Sequence, residues 1–375
     1  MSRVILPVDR LEELWRPGKV RVGALLHGAS VNARLESTLT ILERLQAVGM
    51  MELRALFGPQ HGFLATTQDN MVEWKGYQHP RLGIPVYSLY GQDREPTLEM
   101  LEAIDVLLVD LVDVGARYYT FIWTLFLCMK ACERAGVRVV VCDRPNPLGG
   151  LAVEGVSQRE EYFSFVGLWP LANRHGKTIG EVAQMFQREV FPRCDLEVLP
   201  MRGWERSMWY DETGLPWVMP SPNMPTLDAA TVYPGMCLLE GTNVSEGRGT
   251  TRPFEMIGAP WVDGEDLAEA LNDRALQGVR FRPCSFEPTF QKHARRVCHG
   301  VQVHVCDRAR FESVLTGTVV IQVLWREYDE FRWKVPPYEY ETEKLPIEIL
   351  VGRSVEEFFG HRGDVRCSFD DLAEN

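Results

Sequence analysis

The pattern of apolar and polar positions in the first half of the chain predicts a parallel β-sheet covered by helices. Short, nearly continuous apolar runs alternate with segments whose apolar residues recur at helical spacing. The predicted strands are 20–26, 52–57, 84–88, 106–111, 137–142 and 195–199. The predicted helices are 37–48, 118–135 and 182–191, the last preceded by the capping-box spacing Thr178 to Glu181. Strands that are apolar on both faces are typical of parallel sheets buried between helices.

After about residue 200 the regular alternation of apolar runs and helical patterns ends. The run 217–225 holds several prolines, which regular helices and central strands exclude. Beyond it the pattern predicts a helix at 265–275, strands near 279–282 and 300–305, and a long helix at 311–325. A chain of 375 residues is long enough for more than one domain. We therefore predict an α/β domain over residues 1–215 and a smaller α/β or α+β domain over residues 216–375.

Charge and cysteine content narrow the class of protein. A formal net charge of −12 argues against nucleic acid or an anionic membrane as a partner, because both require a basic face. The sequence has no apolar run of the ~20 residues that a membrane span needs, and its first residues lack the apolar centre of a signal peptide. Nine cysteines without paired short spacings favour reduced thiols. We expect a cytoplasmic protein, and its acidic surface is compatible with a homodimer.

Polar clusters follow four of the predicted strands, at the point where each strand ends. They occupy residues 27–32, 58–62, 110–119 and 142–147. Ligands of open parallel sheets bind beyond the carboxyl ends of the strands, so these clusters predict a site at that edge. The first strand is not followed by a GxGxxG motif, which argues against a dinucleotide-binding enzyme.

Individual residues of these clusters have both a catalytic and a structural interpretation. Asp110 and Asp113 could transfer protons, or Asp113 could cap the following helix while Asp110 accepts from main-chain amides. Arg117 could grip an anion while the neighbouring Tyr118 stacks on a sugar face. His61 could be a general acid or base, or a hydrogen-bonding structural residue.

The segment 238–252 is punctuated by glycines and has almost no apolar residue after Leu239. Glu240 and Glu246 are candidates for proton chemistry, and Arg248 and Arg252 offer planar forks that suit a carboxylate or phosphate. Its glycines allow the main chain to approach a ligand closely. The segment predicts a site for a polar, anionic molecule, and the alternative is a solvated hairpin loop.

Cysteines and histidines in the segment 298–306 resemble a metal site by composition alone. In a strand, consecutive side chains on one face lie ~6–7 Å apart, too far to chelate one zinc ion. The sequence therefore predicts no metal site there.

Six motifs together resemble a known family. They occupy residues 57–63, 109–120, 143–150, 174–181, 220–225 and 240–250. In this order they are similar to the exo-acting β-N-acetylmuramidases first described as the DUF1343 domain. The resemblance implies a Rossmann-like N-terminal domain, a smaller α/β C-terminal domain and an active-site cleft between them. It also implies release of terminal N-acetylmuramic acid from the non-reducing end of peptidoglycan fragments, with no metal or organic cofactor.

The implied substrate suits the candidate residues. N-acetylmuramic acid carries a carboxylate that Arg117, Arg248 or Arg252 could bind, and an amide and hydroxyls that Asn243 could meet. Glycoside hydrolysis usually needs two carboxyl groups, for which Asp110, Asp113, Glu240 and Glu246 are the local supply. The predicted set of sugar-binding residues is completed by residues of the same motifs, namely Gln60, Tyr118, Asn146 and Asn223.

One position departs from the family pattern. The motif after the second strand usually has the order Pro-Glu-His-Gly, and its glutamate is the leading catalytic candidate of the family, whereas this chain has Gln60. A second departure is His27-Gly28, where the family has a Thr-Asn pair. An amide cannot exchange a proton as a carboxyl group does. An enzyme would then depend on Glu240 or Glu246 with the two aspartates; the alternatives are a non-catalytic acidic-sugar-binding protein and a metal-dependent hydrolase.

Overall fold

The computed structural model describes residues 4–14, 20–68 and 71–362. The chain divides into two compact units that are discontinuous in sequence. The first unit comprises residues up to 115, 119–151 and 176–222. The second comprises residues 116–118, 152–175 and those from 223 onward. Two short excursions from the first half of the chain thus belong to the second unit.

The first unit is built on a seven-stranded sheet, which confirms the predicted parallel architecture. Its strands are β1 (Arg21–Leu26), β2 (Glu52–Gly58), β3 (Tyr77–Gln78), β4 (Pro85–Ser88), β5 (Val106–Asp110), β6 (Arg138–Cys142) and β7 (Leu196–Leu199). Their spatial order is β3-β4-β2-β1-β5-β6-β7. Every neighbouring pair is parallel except the short edge strand β3 with β4. The sequence pattern missed only β3, because two exposed residues carry no periodic signal.

Strands β1 and β5 form the central pair of this sheet. They are in register from Val22 opposite Val106 to Leu26 opposite Asp110. The chain winds outward from this pair in both directions, through β2 and β4 on one side and β6 and β7 on the other. Such a topological switch point opens a crevice beyond the carboxyl ends of the two strands. The residues that follow Leu26 and Asp110 lie at this crevice.

Among the described residues of the first unit, the sequence pattern predicted three of the five α-helices and missed the two shortest. The five helices are α1 (Leu11–Leu14), α2 (Thr38–Ala47), α3 (Leu98–Glu102), α4 (Phe121–Ala135) and α5 (Ile179–Glu189). The capping box of α5 is confirmed, since Glu181 N donates to Thr178 Oγ1 and Thr178 N donates to the Glu181 carboxylate. Helix α4 begins at Phe121 rather than at the predicted residue 118, because Tyr118 belongs to the second unit.

The second unit is built on a small antiparallel sheet. Its strands are β8 (Met256–Ala259), β9 (Val279–Phe286) and β10 (Cys298–Val305), in the order β8-β10-β9. Its helices are α6 (Leu227–Met236), α7 (Gly264–Asn272), α8 (Ser313–Glu327), α9 (Pro346–Val351) and α10 (Val355–Phe359). The sequence pattern predicted α7, α8, β9 and β10. Across the ranges that the structure describes, no helix is long and apolar enough to cross a membrane.

Helices α6 and α8 cross at two glycines. A Cβ at Gly235 would lie 1.8 Å from Ser313 O, and a Cβ at Gly317 would lie 2.2 Å from Gly235 O. The contact is completed by Ser313, whose Oγ accepts from Gly235 N at 2.9 Å and donates to Val232 O at 3.0 Å. The two backbones therefore touch, and neither glycine can be enlarged without moving a helix.

We expect Gly317→Ala to destabilise the protein. Helix propensity alone favours alanine by up to ~1 kcal/mol, but overpacking a closed contact costs roughly 1–3 kcal/mol, so steric exclusion wins. The free energy of unfolding, measured by urea titration, should fall. Gly49→Ala is the control, because its Cβ meets nothing within 4 Å and only its positive φ of 74° adds strain. A more stable Gly317→Ala protein would contradict the close crossing.

Candidate active site

Hydrogen bonds between loops hold together the carboxyl edge of the first unit's sheet. Val112 N, just past β5, donates to Nε2 of His27, just past β1, at 3.0 Å. Ser30 Oγ donates to Asp110 O at 2.5 Å. Burial, together with the charges of Arg144 and His61, lowers the pKa of His27 to about 3, so the ring is neutral. This histidine, which the sequence analysis did not select, joins the two central loops of the edge.

Asp110 lies at this edge as one half of a buried ion pair. Arg144, just past β6, donates from Nε to Asp110 Oδ1 at 2.5 Å and from Nη2 to Oδ2 at 2.7 Å. Thr38 Oγ1 also donates to Oδ2 at 2.5 Å, and the aspartate has no exposed surface. Burial alone would lower the pKa of Arg144, but Asp110 raises it above its ordinary value. The carboxylate therefore positions Arg144, which favours the structural interpretation of Asp110.

Asp113 and Asn146 shape the loops that follow β5 and β6. Gly115 N donates to Asp113 Oδ2 at 2.7 Å, so Asp113 closes its own turn instead of capping α4. Asn146 Oδ1 accepts from Leu148 N at 3.0 Å, and its Nδ2 donates to Lys177 O at 2.9 Å. A Cβ at Gly115, whose φ is +79°, would lie 2.6 Å from Asn146 Oδ1. Asn146 is packed against this glycine as part of the scaffold.

Gln60 follows β2 and is held by two hydroxyl groups. Its Nε2 donates to the Tyr90 hydroxyl at 3.1 Å, and Thr120 Oγ1 donates to its Oε1 at 2.7 Å. The neighbouring His61 adopts a φ of +69°. Its Nδ1 lies 2.7 Å from Thr67 O, which assigns the proton to Nδ1 because a carbonyl can only accept. Both side chains are buried and fixed in orientation.

Arg117 and Tyr118 lie in the second unit. The Arg117 guanidinium donates to the main-chain oxygens of Val156 at 3.1 Å, Leu171 at 2.8 Å and Leu350 at 2.5 Å. Burial lowers the pKa of Arg117 to about 10. The Tyr118 ring packs edge-on against Tyr233, with centroids 5.8 Å apart. The guanidinium of Arg117 therefore joins three segments of the protein. This arrangement gives no support to the expectation that Arg117 binds an anionic group of the substrate.

Most of the segment 238–252 is buried, although Thr251 and Arg252 at its end are exposed, so the alternative of a solvated loop is wrong. Glu240, Glu246 and Arg248 are 4%, 2% and 7% exposed. Arg248 Nη2 donates to Glu240 Oε1 at 2.5 Å, and Arg248 Nε lies 3.3 Å from Glu246 Oε1. Lys292 Nζ lies 2.8 Å from Glu246 Oε2. Glu240, Arg248, Glu246 and Lys292 thus form a chain of alternating charge, here called the ionic chain, whose two carboxylates balance its two cations.

The far end of the ionic chain was missed by the sequence analysis. Lys292 also donates to Leu239 O at 2.7 Å and Val244 O at 2.9 Å, so its ammonium group has three acceptors. It lies 46 positions from Glu246 in a stretch without a recognisable motif. Only the fold brings it to the segment 238–252.

Glu240 is ionised at neutral pH. Burial by itself favours the protonated acid, but the charge and hydrogen bond of Arg248, the Tyr338 hydroxyl and Lys292 together lower the pKa of Glu240 below its ordinary value. Tyr338 donates to Glu240 Oε2 at 2.8 Å, opposite the oxygen that Arg248 binds. Glu240 can therefore act as a base, as a nucleophile or as a stabilising negative charge. It cannot act as a proton donor, because its carboxyl group is ionised.

The remaining predicted residues have different surroundings. Asn243 Nδ2 donates to Glu330 O at 2.8 Å, and Asn243 Oδ1 accepts from Arg332 N at 2.9 Å, so this side chain ties two loops together. Arg252 is 46% exposed and pairs with Glu255 at 3.1 Å. Asn223 is buried. No three histidine, cysteine, aspartate or glutamate side chains lie together as a metal site within 4–14, 20–68 and 71–362.

Comparison with known proteins decides the family. Models of the exo-β-N-acetylmuramidase NamZ N-terminal and C-terminal domains match residues 22–228 and 231–357. The chain belongs to the exo-β-N-acetylmuramidase NamZ family. It is 48% identical over 310 residues to the peptidoglycan β-N-acetylmuramidase NamZ of Bacillus subtilis (strain 168), covering 83% of this chain and 74% of that protein.

Solved structures of DUF1343 proteins from Bacteroides fragilis NCTC 9343 share the fold. One has a TM-score of 0.84 and 32% identity, covering 100% of this chain and 94% of its own. Another has a TM-score of 0.69 and 26% identity, covering 94% and 88%. As a member of the NamZ family the chain is a glycosidase, and the alternative of a non-catalytic sugar-binding protein is not supported.

We expect Asp110→Asn to cost roughly 3–5 kcal/mol of stability, because it leaves the buried Arg144 charge uncompensated. Thermal or urea unfolding would measure the loss. Asp105→Asn is a matched control, since Asp105 also forms a bidentate pair with an arginine, Arg21, but both side chains are more than 40% exposed. Its cost should stay below ~1 kcal/mol. Equal losses in the two variants would contradict the positioning role of Asp110.

Proposed function

We propose that this protein is an exo-acting glycosidase that releases terminal N-acetylmuramic acid from the non-reducing end of peptidoglycan fragments. The observation that carries the proposal is the buried Glu240, held ionised in a chain whose two domains match the NamZ family. The Bacillus subtilis relative, by its name, acts on peptidoglycan. The acidic net charge and the cysteine usage support a cytoplasmic site of action on soluble fragments.

Glu240 supplies the ionised carboxylate of the reaction. Glycosidases pass through a transition state that resembles an oxocarbenium ion, and one carboxylate attacks the anomeric carbon or activates water while a protonated acid releases the leaving group. The lowered pKa of Glu240 suits the first role and opposes the second. Arg248 and Tyr338 each donate to one oxygen of Glu240, which fixes the orientation of the carboxylate.

The other carboxyl groups divide into supporting and reacting candidates. Glu246 lies between Arg248 and Lys292, and Asp110 is bound bidentately by Arg144, so both serve to hold cations. Asp113 and His61, at the carboxyl edge of the sheet, remain our candidates for proton transfer. Holding a cation and transferring a proton are both roles that these side chains can perform without a metal or an organic cofactor.

Arg252 is our candidate for binding the lactyl carboxylate of N-acetylmuramic acid. Among the three arginines predicted to bind an anion, Arg117 is committed to main-chain oxygens and Arg248 to the ionic chain. Arg252 is half-exposed, and its ion pair with Glu255 leaves further donors of the guanidinium for a ligand. Gln60 and Asn223 remain candidates for the polar groups of the sugar.

We expect Glu240→Gln to lower kcat on a chromogenic N-acetylmuramic acid glycoside by about 10²–10⁴-fold, as the loss of a proton-transferring group or nucleophile does. The matched control is Glu154→Gln. Glu154 is also a buried glutamate of the second unit, it is ion-paired with Arg174, and it accepts from Val314 N at 2.9 Å. That variant should lose stability but keep kcat within a factor of about two where both proteins are folded. Full activity of folded Glu240→Gln would refute the assignment.

We expect Gln60→Glu to leave turnover of the same glycoside within about tenfold of wild type, because Glu240 already provides the carboxylate. Tyr90 and Thr120 can both donate to the new side chain, so the variant should fold. The kcat of the purified variant is the measurement. A rise of a hundredfold or more would instead locate the missing catalytic group at position 60.

A further inference from the structure

We propose that Tyr338 is a positioning residue that fixes and keeps ionised the Glu240 carboxylate, and that a strained turn holds it there. The proposal rests on the role proposed above for Glu240. Neither the motifs nor the predicted elements of the sequence pointed to Tyr338. Its side chain is 3% exposed, and its hydroxyl donates to Glu240 Oε2 at 2.8 Å.

The backbone around Tyr338 is bound directly to the segment that carries Glu240. Lys334 N donates to Gly241 O at 2.9 Å, and Asn243 N donates to Arg332 O at 3.0 Å. These bonds flank an antiparallel bridge between Thr242 and Trp333. The donor and the carboxylate are therefore held by one hydrogen-bonded frame, so their distance does not depend on the tyrosine side chain alone.

The turn after Tyr338 adopts a conformation that its residues disfavour. Tyr338 and Glu341 exchange both main-chain hydrogen bonds, each at 2.9 Å. The two residues between them, Glu339 and Tyr340, have φ values of +44° and +69°. Two-residue turns with positive φ at both positions are normally built from asparagine and glycine. Strained residues of this kind persist where the surrounding structure over-determines them, and they concentrate at functional sites.

The far side of the turn is fixed by a carboxylate. Glu341 Oε1 accepts from the main-chain nitrogens of Thr342, Glu343 and Lys344, at 2.8, 2.7 and 3.3 Å. These bonds offset part of the strain and stop the turn from relaxing. The side chain of Tyr338 is consequently held towards the interior of the unit.

The chemistry of the contact is that of a neutral donor to an anion. Burial raises the pKa of Tyr338 well above its ordinary value, so the hydroxyl keeps its proton. A hydrogen bond to the charged form of a carboxyl group favours that form. Removing the hydroxyl should make Glu240 easier to protonate and free to turn about its side-chain bonds.

Several other titratable groups face Glu240 and also affect whether its carboxyl group is ionised. Arg248 and Lys292 favour its ionised form, while burial opposes it. Cys237 Sγ lies 3.5 Å from Glu240 Oε1, and the phenols of Tyr118 and Tyr233 lie in its electrostatic range. Glu246 and Glu339 bear on Arg248 and Tyr338, respectively. Tyr338 donates to Oε2, whereas Arg248 and the Cys237 thiol approach Oε1, so the contribution of the hydroxyl can be tested by a substitution of its own.

The test is the pH dependence of kcat/KM for Tyr338→Phe on the chromogenic N-acetylmuramic acid glycoside. Because the folded pKa of Glu240 is lowered, activity should fall as pH drops through a limb below the ordinary value of 4.5. Loss of the hydroxyl should move this limb upward by about one pH unit, roughly tenfold in the ionisation constant. An unmoved limb would overturn the proposal. A merely structural tyrosine would lower stability without moving it.

Tyr210→Phe is the matched control. Tyr210 is also a buried tyrosine, but its hydroxyl donates to Pro216 O at 3.0 Å in the first unit. It should lose stability comparably and leave the limb in place. A limb that moves equally in both variants would overturn the specific role of Tyr338.

A measurement on the wild-type protein covers the case in which Tyr338→Phe does not fold. The ¹³Cζ resonance of Tyr338 should titrate with the midpoint of the acidic limb, because the bonded carboxylate changes charge there. A resonance that stays constant through that range would overturn the proposal. If wild-type protein does not hydrolyse the glycoside while this resonance titrates below pH 4.5, the proposed function fails and the positioning contact stands.

Discussion

The ionic chain of the second unit is the interaction on which the interpretation of this protein depends. An isolated charge in a protein interior is too costly to persist, so each buried carboxylate needs a cation and hydrogen bonds. Glu240, Arg248, Glu246 and Lys292 satisfy this requirement by alternating in sign. The arrangement distinguishes the two glutamates. Glu246 lies between two cations, whereas Glu240, at the end of the ionic chain, contacts one cation and the neutral hydroxyl of Tyr338.

The first unit shows the same constraint in a different form. The switch point between β1 and β5 gathers polar loops, as the strand order requires, but several of their polar side chains bind other groups of the same unit. Asp110 is neutralised by Arg144, and Asn146 is bound to the main chain of its own neighbourhood. A polar cluster at the end of a strand can therefore serve to hold loops together, and its composition alone does not identify reacting groups.

The sequence predicted regular elements well where packing is local. The apolar runs predicted six of the seven strands of the large sheet, and the predicted capping box lies at the start of α5, which begins at Ile179 rather than at the predicted residue 182. Prediction from the sequence failed where tertiary contacts overrode the local conformational preference of the residues. Helix α6 contains Pro234 and closes on α8 through glycines, neither of which predicts a helix. Tyr118, expected in a helix of the first domain, is instead part of the second unit.

The sequence by itself determined the fold class and the family, and it selected the two regions in which we propose the functional residues, because apolar periodicity and contiguous motifs are local properties. Only the tertiary structure decided which of the candidate side chains already bind other residues of the protein. Arg117 and Asp110 are bound to partners in distant parts of the chain, and Lys292 and Tyr338 reach the ionic chain through loops without any motif. The charge state of a buried carboxylate depends on neighbours brought together by folding, and sequence order does not record them.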